Sequence, residues 1–231
     1  MTSPPGFLPS KQGFAFVNNW PSEPAVVLPT PFGKIAVGNA SAGLCGGMVF
    51  AALDYWYAGT LPPSRQPPPD DPLYGYLVRR LIDSWHVPSG VAEYYSWMNL
   101  PDGDRGFDVF GRHVLTQRGL AWRTIENQWP QIAADLGHGV PVPLGLVTVA
   151  SAAPADLGLN HQVLAYGYQV SAAGVTVRVY DSNSGQRDDV YIQFDPGNPA
   201  KPTAFNHNIA ISRPVRGFFR TAYTKATPPP G

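Results

Sequence analysis

Roughly one residue in five is glycine or proline, 24 and 26 of them in a chain of 231. Proline removes a backbone donor and fixes φ, and glycine weakens the interiors of helices and strands, so only short elements joined by many turns are available to such a chain. Against that fragmentation, 44% of positions are apolar and 12% aromatic, which suffices for one sizeable core or two lobes sharing a cleft. Lys plus Arg and Asp plus Glu are 16 each, so no net field favours a nucleic acid or an anionic membrane. A single cysteine, Cys45, excludes an intramolecular disulfide and leaves the fold to packing.

The first residues lack a basic start followed by an apolar run, and no window approaches the length of apolar sequence that spans a bilayer. The expectation is therefore no signal peptide and no membrane span, with the cytoplasm as default and the compartment otherwise open, export by another route included.

Residues 1–37 read as an extended arm broken by proline and glycine. Helical spacing follows over 45–57, 73–85, 91–99, 107–118 and 129–136, and the proline-dense stretch 61–72 reads as a surface loop. After Gly139 the texture changes to β-rich runs at 140–149, 161–170, 175–181, 190–194 and 208–212. Helices followed by successive strands predict an α+β protein in which a helical lobe (38–139) packs on an antiparallel sheet lobe (140–226). A single domain, 1–226, is expected, with 227–231 as a disordered tail.

Cys45 opens the first apolar helix, between Gly43-Leu44 and Gly46-Gly47. Small neighbours leave room for a substrate backbone, and a helix amino terminus favours a thiolate and a developing oxyanion. A thiolate nucleophile needs a histidine and a third group that holds the histidine's tautomer. His86, His113, His138 and His207 lie in polar or loop-edge surroundings and read as structural. His161 opens the strand Asn160-His161-Gln162-Val163-Leu164-Ala165-Tyr166-Gly167-Tyr168, on the face of Val163, Ala165 and Gly167, which is expected to meet the helical lobe. On the next strand Val175, Val177, Val179 and Asp181 share a face. A turn centred on Ser171 would set Asp181 across from His161, whereas a centre at Ala172 would set Asn183 there. Because Ser182-Asn183-Ser184-Gly185 reads as a turn, Asp181 is preferred and Asn183 is the alternative.

Three of these segments resemble the papain-like cysteine peptidases. The stretch from Asn39 to Cys45-Gly46-Gly47-Met48-Val49-Phe50-Ala51 is similar to their nucleophile segment, Asn-His-x-Val-x-x-x-Gly-Tyr at 160–168 to their histidine strand, and Val179-Tyr180-Asp181 to the strand end bearing their Asn or Asp. Trp129 to Leu146 is similar to the element before the histidine in the bacteriocin-processing, double-glycine-cleaving branch. The resemblance implies a papain-like fold and an oxyanion-hole role for Asn39, which stands where the family carries a glutamine one methylene longer. Gly47-Met48 in place of a Ser/Ala-Cys pair, and the lack of disulfides, depart from the lysosomal members.

What this implies is a cofactor-independent thiol hydrolase acting on a peptide or amide substrate, with Cys45 as nucleophile, His161 as base and acid, Asp181 as orienting residue and Asn39 in the oxyanion hole. Peptidoglycan amidases and transglutaminase-type acyl transferases would use the same triad, and a catalytically inactive binding module on the same fold is the alternative of another class. No metal-ligand spacing or phosphate-loop pattern occurs. Asp70-Asp71 and Asp188-Asp189 read as solvated surface acids, and Trp56, Trp85, Trp97, Tyr94 and Tyr95 as core.

Overall fold

The structure, a computed structural model, describes residues 6–20, 26–30, 33–37, 44–86, 88–209 and 213–230. Within the arm, a short helix α1 (Pro9–Gln12) and a hairpin of β1 (Val26–Thr30) and β2 (Gly33–Val37) replace the expected extended run. Phe7, Phe14, Phe16 and Trp20 are buried, so the arm does wrap the core.

The helical part consists of α2 (Cys45–Ala58), α3 (Pro72–Ser84) and α4 (Ser89–Met98). Every residue of α2 from Cys45 to Tyr55 is buried, as expected of a helix that is apolar all round. Its end is set by Gly59 in the left-handed conformation, φ 68°. Asp71 caps α3 by accepting from the Leu73 N–H at 2.7 Å, and Pro72 occupies a first-turn position that needs no donor. The buried Asp54 of α2 joins three segments. It faces Arg80 Nε of α3 at 2.7 Å, accepts from the Tyr76 and Tyr223 hydroxyls at 2.7 and 2.6 Å, and accepts from the Ala226 N–H at 2.8 Å. The tail expected to be disordered carries a bond of its own, from the Tyr55 hydroxyl to the Pro229 carbonyl at 3.0 Å.

Residues 107–118, predicted as a helix, form a hairpin of β3 (Arg105–Val109) and β4 (Arg112–Gln117). Phe107, Phe110 and Val114 fit helical spacing, but Phe110 and Gly111 adopt φ of 47° and 74°, the two-residue turn with positive φ at both positions that matches strand twist. One helical run then passes through α5 (Leu120–Trp122), a wide π-turn segment at 123–128 and α6 (Trp129–Gly137). Pro130 lacks the N–H that would close a regular turn at this junction, which fits the local widening.

The second half is a six-stranded antiparallel sheet in the order β10-β5-β6-β7-β8-β9, built from β5 (Val142–Val147), β6 (His161–Ser171), β7 (Gly174–Tyr180), β8 (Tyr191–Phe194), β9 (Asn206–His207) and β10 (Gly217–Arg220). Of the strand predicted at 208–212, residues 210–212 lie outside the described residues, while β10 had no counterpart in the sequence reading. The sheet curls until its two edges meet at a bridge between Phe205 and Val215. Its concave face is lined by Leu144, Val163, Val177, Ile192 and Phe218, with Ile132 and Leu136 of α6 packed on them. Leu164, Tyr166, Tyr180 and Phe219 on the other face join the core of α2, α3 and α4. The protein is thus α+β, a helical region against a curled antiparallel sheet.

Gly46 and Gly47 set how closely α2 can approach. A Cβ on Gly47 would overlap the Leu77 carbonyl oxygen of α3, and one on Gly46 would overlap Ser84 Oγ and crowd the Gln162 side chain. These glycines are filled by neighbours rather than open to a substrate backbone, which corrects the sequence reading. Gly47→Ala is expected to destabilise by about 1–3 kcal/mol through overpacking. Gly75→Ala, inside α3 with open space around it, is expected to stabilise by about 0.5–1 kcal/mol. Urea denaturation of both variants checks the pair; equal effects would refute the close-approach argument.

Candidate active site

The first constraint on the site is a bulge. At the hairpin end, Ser171 pairs with Gly174 and Gly167 with Arg178; past Tyr166 the frame shifts by one, so that Ala165 pairs with Val179 and Leu164 with Tyr180. The turn is Ala172-Ala173, not one centred on Ser171, and the shifted frame extrapolates to Asn183 rather than Asp181 directly across from His161. Side chains invert across the extra residue: Leu164 and Tyr166 pack with the helices, whereas Tyr168 packs edge-on against Trp129 at 5.1 Å between centroids. The expected face therefore meets the helical lobe through α6 and not through α2, α3 and α4. Val163 and Ala165 turn into the concave interior, and His161 pairs with the interior residue Leu146.

Asp181 nevertheless reaches the histidine. β7 ends at Tyr180, Asp181 continues its alternation onto the concave face, and its Oδ1 stands 3.0 Å from His161 Nε2, a diagonal rather than a direct cross-strand contact. The turn that follows is held by the Asn183 N–H on Asp181 Oδ1 at 2.8 Å and the Ser184 hydroxyl on the Asp181 carbonyl at 2.7 Å. Asn183 turns its side chain away, its Oδ1 accepting from Asn18 Nδ2 at 3.2 Å. The Cys45 sulfur is near enough to the His161 ring to act on its ionisation, and with Nε2 on the side of Asp181 the nitrogen left for the thiol is Nδ1. Cys45 is buried yet 7% exposed, the His161 side chain 12% exposed, and Asp181 fully buried. The structure therefore brings Cys45, His161 and Asp181 together, while Asn39 lies outside the described residues.

Burial would by itself push His161 down, but the Asp181 carboxylate and the Cys45 sulfur outweigh it and hold the imidazole well above its usual value. Burial would likewise raise Asp181, yet its contacts with His161, His207 and the Asn183 N–H hold it well below the usual carboxylate range. Tyr94, expected as core, is buried beside Cys45, and its hydroxyl donates to the His161 carbonyl at 3.3 Å. Burial, with the cysteine's charge adding to it, raises that phenol well above its ordinary value.

Two contributors had gone unread in the sequence. Asn18, on the arm, accepts from the Leu44 N–H at 3.0 Å and donates its own N–H to the Ser182 carbonyl at 2.9 Å, stapling the residue before Cys45 to the turn after Asp181. His207, read as structural, places Nε2 3.1 Å from Asp181 Oδ2. No local pattern marks either residue, because both act across more than 25 positions of sequence. His138 bonds its own helix through Nδ1 and the Ala134 carbonyl at 2.8 Å. Asp188 accepts from the Ser10 N–H at 2.8 Å, and the exposed Asp189 pairs with Arg187.

Among the described residues, no group of three or more His, Cys, Asp or Glu is disposed to hold a metal ion, and no helix is long and apolar enough to cross a membrane. No protein-family model, curated protein or solved structure matches this chain.

The two shifts set opposite limits on stability. The lowered Asp181 contributes fully above the ordinary carboxylate value of 3.8, and its contribution is lost as pH falls towards the folded value. The raised His161 contributes fully below the ordinary 6.5, and its contribution is lost as pH rises through the folded value. The urea-midpoint gap between wild type and Asp181→Asn is expected to be widest between about pH 4 and 6.5 and to narrow on both sides. Titrations in acid, at mid-range and in strong alkali check this; a gap independent of pH would mean that the pair is not ionised in the folded protein.

Proposed function

We propose that the protein is a thiol hydrolase of papain-like fold that cleaves amide bonds in a peptide, at a site between the start of α2 and the end of the curled sheet. The observation that carries this reading is a cysteine on the first turn of a buried helix, beside an imidazole whose Nε2 stands 3.0 Å from a fully buried carboxylate. A cysteine serving only as a buried apolar group has no need of either partner. The order Cys45, His161, Asp181 and the segments around them support the family resemblance.

In this reading the Cys45 thiolate adds to the scissile carbonyl carbon. The oxyanion that forms is met by the Cys45 N–H, one of the unpaired donors at the start of α2, and by the Asn39 amide. His161, protonated and held by Asp181, gives its Nδ1 proton to the departing amine, leaving a thioester on Cys45. The neutral ring then takes a proton from water, which attacks the thioester, releases the acid and restores the thiolate–imidazolium pair. Asp181 stays ionised throughout and fixes the ring so that Nδ1 faces sulfur and substrate.

A peptide library and a set of muropeptides, assayed with and without an added amine, test the proposal. Cys45→Ala is expected to abolish turnover, and Asp181→Ala to lower kcat far more than Asn183→Ala, whose side chain faces Asn18. Transfer to the amine or cleavage confined to muropeptides would assign the acyl-transfer or amidase branch instead. Iodoacetamide should alkylate Cys45 near pH 6 faster than a free model thiol and more slowly after His161→Ala. A Cys45 that reacts only on denaturation would overturn the enzymatic reading in favour of a binding module.

Asn39 tests the resemblance on its own. Its amide would act only as the oxyanion forms, so Asn39→Ala is expected to lower kcat by about 10² to 10³ with KM little changed. A loss below threefold would mean that another donor fills the hole.

A further inference from the structure

Asp181 has a second buried partner that the triad does not use. Its Oδ1 is taken by His161 Nε2 at 3.0 Å and the Asn183 N–H at 2.8 Å, while Oδ2 is approached by His207 Nε2 at 3.1 Å. The His207 side chain is 1% exposed, so no water competes for that oxygen from the His207 side. The ring is itself oriented, because Nδ1 accepts from the Ile209 N–H at 3.3 Å. A ring nitrogen that accepts is unprotonated, so the proton of the neutral imidazole sits on Nε2, the ring atom that stands 3.1 Å from the carboxylate. His207 belongs to β9 and pairs with Ile192 of β8, whose side chain lies in the concave interior, so the imidazole enters the site from the strand two places beyond β7.

We infer that His207 is a positioning residue of the same site: its buried ring, with Nε2 against Oδ2, keeps Asp181 in the rotamer that orients His161. A carboxylate is two-fold about its terminal torsion, and a buried one with a free oxygen can turn or recruit a stray donor. A rigid, buried ring held against Oδ2 leaves only Oδ1 for His161. This inference rests on the thiol-hydrolase reading for its effect on turnover, though not for the geometry it asserts.

Nitrogen-detected histidine spectra of the full chain at neutral pH test the geometry without substrate. His207 is expected as the neutral tautomer protonated at Nε2 and bare at Nδ1; a proton on Nδ1 would overturn the proposal. For function, His207→Ala is expected to lower kcat on the order of tenfold with KM little changed, the size such orienting partners carry elsewhere. The same variant should slow Cys45 alkylation near pH 6. His207→Gln should recover most of both losses, since its terminal amide N–H reaches about where Nε2–H stands. A folded His207→Ala within twofold of wild type in kcat and alkylation, or a Gln variant no better than Ala, would sink the idea. If no substrate is turned over by the wild type, the hydrolase reading fails, while the spectra and the alkylation rates still decide for or against His207.

Discussion

The single extra residue at Tyr166 decides which side chains of β6 see the helices and which see the interior of the sheet. Facing alternates along a strand, so a shift of one residue exchanges the two faces of everything beyond it. Without the bulge, the pairing at Gly167 and Arg178 would run on unchanged and put Asp181 on the face of Leu164, across the sheet from His161. With it, Leu164, Tyr166 and Tyr180 pack on α2, while His161 and Asp181 share the concave face. The core and the site are thus fixed by one irregularity.

Sharing a face brings a carboxylate into the protein, and a buried charge is tolerated only when it is paired and hydrogen-bonded. Asp181 meets that requirement with the Asn183 N–H of its own turn and with two imidazoles at ion-pair distance, His161 at the start of β6 and His207 on β9. The same pairing holds His161 charged against the desolvation that would discharge it. Asp54, at the other end of α2, meets the requirement differently, with Arg80, two tyrosine hydroxyls and the Ala226 N–H. One acid organises the site, and the other ties the C-terminal segment to the helices.

Between them α2 is placed closely. Gly46 and Gly47 allow its first turn to sit against Ser84, Leu77 and Gln162, and Asn18 reaches over from the arm to hold Leu44. The proposed nucleophile is therefore the first residue of an element locked at both ends, as a thiol needs if it is to stand at one fixed distance from an imidazole on another element. The small residues that read as an opening for substrate are instead the means of close packing.

Most of the α+β order was legible in the sequence, because helical and strand periodicity are local properties. The helix bearing Cys45, the change of texture at Gly139 and the strands bearing His161 and Asp181 all follow from spacing within a dozen residues. The hairpin at 105–117 was not, since Phe107, Phe110 and Val114 fit helical spacing and only the positive φ at Phe110 and Gly111 reveals the turn between two strands. Cys45, His161 and Asp181 could be singled out by residue type and position, but the register that was to join the last two was wrong. A bulge leaves no mark in composition, and Asp181 meets His161 by a diagonal reach from beyond the strand's end. Asn18 and His207 carried no signal at all, for their roles exist only once 26 positions of chain, in each case, have been folded back to bring them to Leu44 and Asp181. The sequence by itself determined the elements and the reactive groups they carry; the tertiary structure decided facing, distance and partnership, because those depend on contacts between residues far apart along the chain.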